Sequence, residues 1–208
     1  MILDQLSQAL QQGDQNQVRS LAEQAMHSGL DATTILNDGL IAGMDVVGQK
    51  FQAGEFFIPN MLLAARAMHA ALEILKPKLV ESGTEPVGKV VLGTVKGDHH
   101  DIGKDLVAMM LEGKGFEVID IGVDAPEQKF VDAVADDVQI VAMSALLSTT
   151  APFIGDTIEA LNRAGLRNNV KIMAGGGAVT QEFADKIGAD AYGADAAIAA
   201  DLALKLVS

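Results

Sequence analysis

From Gly88 to the last residue, short apolar runs alternate five times with amphipathic stretches, and no other feature constrains the fold as tightly. Residues 89–95, 116–121, 138–144, 170–174 and 189–192 read as strands. Residues 105–112, 126–135, 151–164, 180–187 and 194–206 read as helices. Five strand–helix units in succession predict a parallel sheet with helices on both faces. In such sheets ligands bind beyond the carboxyl ends of the strands, where strand order reverses. The loops after the first, third and fourth strands are therefore the ones that matter.

Residues 1–80 follow a helical period instead. Leu3, Leu6 and Leu10 share one face of a first helix. Asp14 suits the N-cap of a second, which runs to about His27 with Gly29 behind it. Asp31 or Thr33 would cap a third, in which Leu36, Leu40, Met44, Val47 and Phe51 recur at helical spacing until Gly54. Pro59 suits the first turn of a fourth helix, running from Asn60 to about Leu75. Four helices with short connections predict a bundle. The polar stretch 81–87, ESGTEPV, reads as a linker, giving a helical domain over 1–87 and an α/β domain over 88–208. Met61 and Met68, on an apolar face of the fourth helix behind Phe56 and Phe57, suit a bundle core. The sharper alternative is that with Phe57 they line a flat apolar ceiling over a large ligand, since methionine fills irregular gaps.

Composition excludes several functions. Acidic residues outnumber basic ones 28 to 15, a net charge of −13. A nucleic-acid partner needs a basic face, so none is expected. Cysteine is absent, which removes disulfides and all thiolate chemistry. No long apolar run predicts a membrane span, and the first residues lack a secretory pattern, so a cytoplasmic protein is expected. Metal chemistry is left to His27, His69, His99, His100 and the carboxylates.

The loop after the first strand concentrates them: Lys96-Gly97-Asp98-His99-His100-Asp101-Ile102-Gly103. An imidazole that ligates a metal through one nitrogen needs an acceptor on the other, and Asp98, two residues from His100, suits that contact. A lone loop histidine is most often surface decoration; the Asp-x-His-x-x-Gly spacing after a first strand argues for ligation. The third-strand loop, Ser144 to Thr150, offers small hydroxyls that line a cleft or cap the next helix. The fourth-strand loop, Gly175-Gly176-Gly177, leaves room for a phosphate or an elongated tail. Together the three loops predict a groove running from His100 into the domain.

The stretch Thr94–Lys104 resembles the Asp-x-His-x-x-Gly signature of cobalamin-binding domains, and Ser144-Ala145-Leu146 and Ala174-Gly175-Gly176 fit the same family in order and spacing. The segment 54–59, GEFFIP, resembles the helical cap domain of methionine synthase and its relatives. The fold so predicted is a flavodoxin-like (Rossmann-type) five-stranded parallel sheet domain preceded by a four-helix bundle cap. The nearest group is the corrinoid proteins of anaerobic methyltransferase systems. The resemblance implies a cobalamin or related corrinoid, with His100 as the lower cobalt ligand and Asp98 as its acceptor. Ser148 or Thr150 would complete the relay. Ser144, Ser148, Gly175 and Gly176 would line the groove for the displaced nucleotide tail, with Tyr192 and Gly193 at its far end. Asp101, Ile102, Gly103 and Leu146 complete the cofactor-binding set, and Phe57 and Met61 would cover the upper face. His99 stands where the family often has a small or apolar residue; the spacing to Gly103 selects His100, leaving His99 beside the bound group or in solvent. The implied role is a carrier subunit that has no autonomous activity. It moves a methyl group between a substrate-specific methyltransferase and a corrinoid:acceptor methyltransferase (acceptor tetrahydrofolate, tetrahydromethanopterin or a thiol), served by a reductive activase. The alternatives are a cobalamin-sensing regulatory module and a manganese phosphoesterase built on Asp98-His99-His100; the latter needs acids on other strand ends, which the other loops lack.

Overall fold

The computed structural model describes all 208 residues, and the chain divides into two compact units. The first comprises Met1–Pro86 with Gly113–Gly115; the second comprises Val87–Glu112 and Phe116–Ser208.

The first unit is helical. Helix α1 (Ile2–Gln11) buries Leu6, Ala9 and Leu10. Helix α2 (Gln15–His27) starts at Asp14, whose carboxylate accepts from the Gln17 amide at 3.0 Å. Asp31, not Thr33, caps the next segment, accepting from the Thr34 amide at 2.8 Å. That segment is not a uniform α-helix. A first turn, α3 (Ala32–Thr34), leads into a π-helical stretch, Ile35–Ile41, before α4 (Ala42–Gln52). Gly39 and Gly43 let the π-helical region and the start of α4 lie against α1. A Cβ at Gly39 would stand 2.8 Å from Leu6 Cδ2, and one at Gly43 3.2 Å from Leu10 Cδ2. Helix α5 (Ile58–Glu81) begins at Phe57, whose amide donates to Asn60 Oδ1 at 2.9 Å. It runs past the expected end at Leu75 and through Pro77, which lies with Glu73 on its exposed side. Alanines 64, 65, 67, 70 and 71 are buried along it.

The second unit is the α/β domain. Its strands are β1 (Lys89–Thr94), β2 (Glu117–Asp120), β3 (Ile140–Ser144), β4 (Lys171–Gly175) and β5 (Ala191–Gly193). They are all parallel, in the order β2-β1-β3-β4-β5. Order therefore reverses between β1 and β3. The intervening helices are α6 (Ile102–Gly113), α7 (Glu127–Ala133), α8 (Pro152–Arg163), α9 (Gln181–Ile187) and α10 (Ala196–Val207). Successive strand residues face opposite ways. Val91, Val141, Met143, Ile172 and Ala174 pack with Phe130, Ile154, Ile158 and Leu161 into one buried core. Leu92, Ala142 and Met173 alternate with them and face a cavity instead. Register brings Thr94, Ser144, Gly175 and Gly193 into one row across the carboxyl edge.

No helix is long and apolar enough to cross a membrane.

Candidate functional site

At the reversal point, the loop between β1 and α6 turns back on itself. Gly97 adopts φ +76, which favours glycine, and the Asp98 amide donates to the Val95 carbonyl at 3.1 Å. The buried Thr94 hydroxyl donates to the His100 carbonyl at 2.9 Å. Asp98 is thereby turned inward and has no exposed surface.

Its carboxylate gathers donors from two loops. Oδ1 accepts from His100 Nδ1 at 2.7 Å and from the His100 amide at 3.1 Å. Oδ2 accepts from the Thr150 hydroxyl at 2.6 Å and from the Leu146 amide at 2.8 Å, with the Leu147 amide further off at 3.4 Å. The Thr150 oxygen also lies 3.0 Å from the Leu147 carbonyl, but its single proton favours the nearer, charged acceptor. Burial alone would raise the Asp98 pKa. The hydrogen bonds from Thr150, His100 and the Leu146 amide outweigh it and hold the carboxyl well below the usual carboxylate range. An ionised Asp98 can only accept, so the proton of a neutral His100 sits on Nδ1, and Nε2 keeps its lone pair. The His100 side chain is 52% exposed. Its tautomer is fixed by a buried acceptor, which leaves Nε2 available to a metal.

The alternative partner, Ser148, is exposed and makes no bond to Asp98. Nor do the hydroxyls of this loop cap α8, whose first residues have no side-chain cap, because that of Thr150 is directed to Asp98. His99 is exposed. Asp101 supplies the carbonyl that starts α6, accepting from the Asp105 amide at 2.7 Å. Ile102 and Leu146 present bare apolar surface around His100, 67% and 44% exposed.

Beyond this loop lies a cavity of about 250 Å³ on the Leu92 side of the sheet. Gly103, Ser144, Gly175, Gly176, Tyr192 and Gly193 line it, over a floor of Leu92, Ala142 and Met173. The groove expected to start at His100 thus starts at Gly103 and Ser144. Leu146, Ser148 and Thr150 are not part of its lining, because their loop turns its amides towards Asp98. Gly176 sits at φ +108, and a Cβ there would stand 2.3 Å from the Ala145 carbonyl oxygen. The close approach of the two loops requires glycine. In the helical unit, Phe57 is 65% exposed, whereas Met61 is 1% exposed. Met61, expected to share an open ceiling with Phe57, is enclosed by packing.

Two residues went unremarked in the sequence. Lys104 is 3% exposed, borders the cavity, and pairs with Asp105 at 2.6 Å and with Asp120 at the end of β2. Desolvation works against its charge, yet the hydrogen bonds it donates to both carboxylates leave its pKa raised. Its sequence gave no signal, since Asp120 is remote along the chain. The other is Asp124, which contacts Gly97 and Asp98 from the turn after Gly122.

No group of three or more His, Cys, Asp or Glu side chains converges to form a metal cage. The donor set is one anchored imidazole, beside an apolar rim and a cavity with a glycine-lined mouth. That set fits a flat metal-bearing macrocycle that brings its other ligands with it and has an elongated tail.

Comparison with known proteins agrees. A family model described as a B12 binding domain matches residues 88–201, and another of the same description matches residues 2–76. Trimethylamine corrinoid protein 1 of Methanosarcina acetivorans is 42% identical over 198 residues, which cover 94% of this chain and 92% of that protein. Dimethylamine corrinoid protein 1 of the same organism is 46% identical over 181 residues, covering 86% and 85%. Among solved structures, a chain of the methanol:cobalamin methyltransferase complex MtaBC from Methanosarcina barkeri matches with a TM-score of 0.88 at 30% identity, covering 99% of this chain and 79% of that one. A cobalamin-binding protein from Desulfitobacterium hafniense DCB-2 matches with a TM-score of 0.83 at 32% identity, covering 99% and 98%. The chain belongs to the B12-binding family of corrinoid proteins.

Proposed function

We propose that this chain is a cytoplasmic methyl carrier that receives a methyl group from a substrate-specific methyltransferase and presents it to a second, acceptor-directed methyltransferase, with a reductive activase restoring the cofactor. The observation that carries the reading is the chain of contacts from the Thr150 hydroxyl through buried Asp98 to His100 Nδ1. When bound, the corrinoid supplies the cobalt that accepts and gives up the methyl group. The residues of this chain supply ligation, position and a place for a proton. His100 Nε2 would be the metal donor, and Asp98 would keep the Nδ1 proton in place. His99, Asp101, Ile102 and Leu146 would border the bound macrocycle. Gly103, Ser144, Gly175, Gly176, Tyr192 and Gly193 would hold its tail in the cavity they line. Phe57, exposed on the helical unit, would be its apolar cover.

Relatives named for trimethylamine and dimethylamine favour a methylamine donor, and the neighbour within a methyltransferase complex favours such a partner here. The acceptor is tetrahydrofolate, tetrahydromethanopterin or a thiol. The test is reconstitution of the reduced, cobalamin-loaded protein with the methyltransferases of the methylamine relatives and radiolabelled methylamines. The protein should retain label from at least one amine and pass it on when an acceptor enzyme is added. Retention of no label from any amine would remove the donor assignment; retention without onward transfer would remove the carrier role.

A further inference from the structure

Asp124, in the loop between β2 and α7, has φ +48 and is the one non-glycine residue with positive φ. That conformation is unfavourable for a residue with a Cβ and is best tolerated by Asp and Asn. Such strain persists only where surrounding contacts hold it. Here those contacts converge on the turn that carries the lower ligand. Asp124 Oδ1 accepts from the Gly97 amide at 2.7 Å, and the Asp124 amide donates to the Asp98 carbonyl at 2.9 Å. The next amide, of Ala125, donates to the Thr94 carbonyl at 3.0 Å. Asp124 is itself exposed, so replacing it removes no core packing.

Gly97 and Asp98 are the two residues whose backbone aims the Asp98 carboxylate inward, and that carboxylate aims His100. We propose that Asp124 is a positioning residue for the lower ligand: its side chain fixes the Gly97 amide and its backbone fixes the Asp98 carbonyl, so that Asp98 and His100 meet before any corrinoid arrives. The proposal rests on the reading of His100 as the cobalt ligand. Without the clamp the 96–98 turn would sample other arrangements, and part of the binding free energy would go into ordering it.

Two variants separate the side-chain contact from the backbone conformation. Asp124→Asn keeps an Oδ1 acceptor and tolerates positive φ. Asp124→Gly adopts positive φ freely but has no acceptor. Hydrogen exchange of the Gly97 amide, followed by NMR in the corrinoid-free protein, reads the clamp itself. The visible spectrum of the cobalamin-loaded protein reads the ratio of histidine-on to histidine-off cofactor. We expect Asp124→Asn to stay within about twofold of wild type in both, and Asp124→Gly to exchange about tenfold faster at Gly97 and to lose about tenfold in the histidine-on ratio. Asp124→Gly matching wild type in either measurement would overturn the proposal, as would Asp124→Asn losing as much as Asp124→Gly. If wild type bound cobalamin with no imidazole on cobalt, the reading of His100 would fall and the positioning role with it. The exchange data would still tell whether the turn is clamped.

Discussion

Asp98 is the residue on which most of the site's polar contacts converge, and its burial makes each of them costly to remove. Thr150→Val keeps the shape of the side chain and deletes the hydroxyl, leaving one lobe of a buried charge short of a donor. The expected loss is about 1–3 kcal/mol of folding stability, while Thr150→Ser stays near wild type; urea denaturation of the corrinoid-free protein decides between them. The same contacts make stability depend on acid. The folded pKa of Asp98 lies below the unfolded value of about 3.9, so its contribution is complete above that value and is lost as the pH falls below it. Asp98→Asn should therefore lower the melting temperature at neutral pH and flatten its fall below about pH 4. An equally steep acid fall in the variant would place the acid sensitivity elsewhere. The relay was half legible in the sequence. Asp98 and His100 are two residues apart, so local spacing revealed their contact. Thr150 is fifty-two residues from Asp98, and only the pairing of β1 with β3 brings it there instead of Ser148.

Among the elements, the loops after β3 and β4 and the start of α6 set the shape of the cavity. Gly176→Ala would place a methyl group against the Ala145 carbonyl at an unfavourable φ, and should cost about 2–4 kcal/mol. Gly122→Ala shares a positive φ (+82) but meets open space, and should cost only about 1–2 kcal/mol. Parallel chemical melts of the two would separate steric conflict from strain. Lys104→Met removes the cation that ties α6 to the end of β2. A fully buried pair broken in this way costs about 3–5 kcal/mol; because Asp105 and Asp120 are 48% and 40% exposed, about 1–3 kcal/mol is expected. Elements whose period was regular were legible, including all five strands and their helices. The π-helical stretch Ile35–Ile41 was not, because apolar spacing of three and four fits α- and π-turns alike, and the choice is made by contact with α1. Gly39 and Gly43 were the visible trace of that contact. The extent of α5 was missed because Pro77 reads as a stop, although on an exposed helix face a lost amide costs less.

At the scale of the whole molecule, two successive B12-binding segments and a sheet whose order reverses beside β1 support one reading of the chain. Cobalamin should stabilise the folded protein by about 2.7 kcal/mol at a hundredfold excess over its dissociation constant, seen as a rise in melting temperature. His100→Ala should show a smaller rise at the same concentration. The hydrophobic period changes from helical to alternating near residue 87. The contacts of Asp124 with the loop before α6, and of Lys104 with the end of β2, were not legible in the sequence, since each depends on residues distant along the chain. A bond from His100 to cobalt can be observed by electron paramagnetic resonance of the Co(II) cobalamin-loaded protein prepared with 14N- and with 15N-histidine. A nitrogen splitting whose multiplicity changes with the histidine label is expected in wild type and His99→Ala and absent in His100→Ala. A splitting indifferent to the label, or one that survives in His100→Ala, would show that another group holds the cobalt.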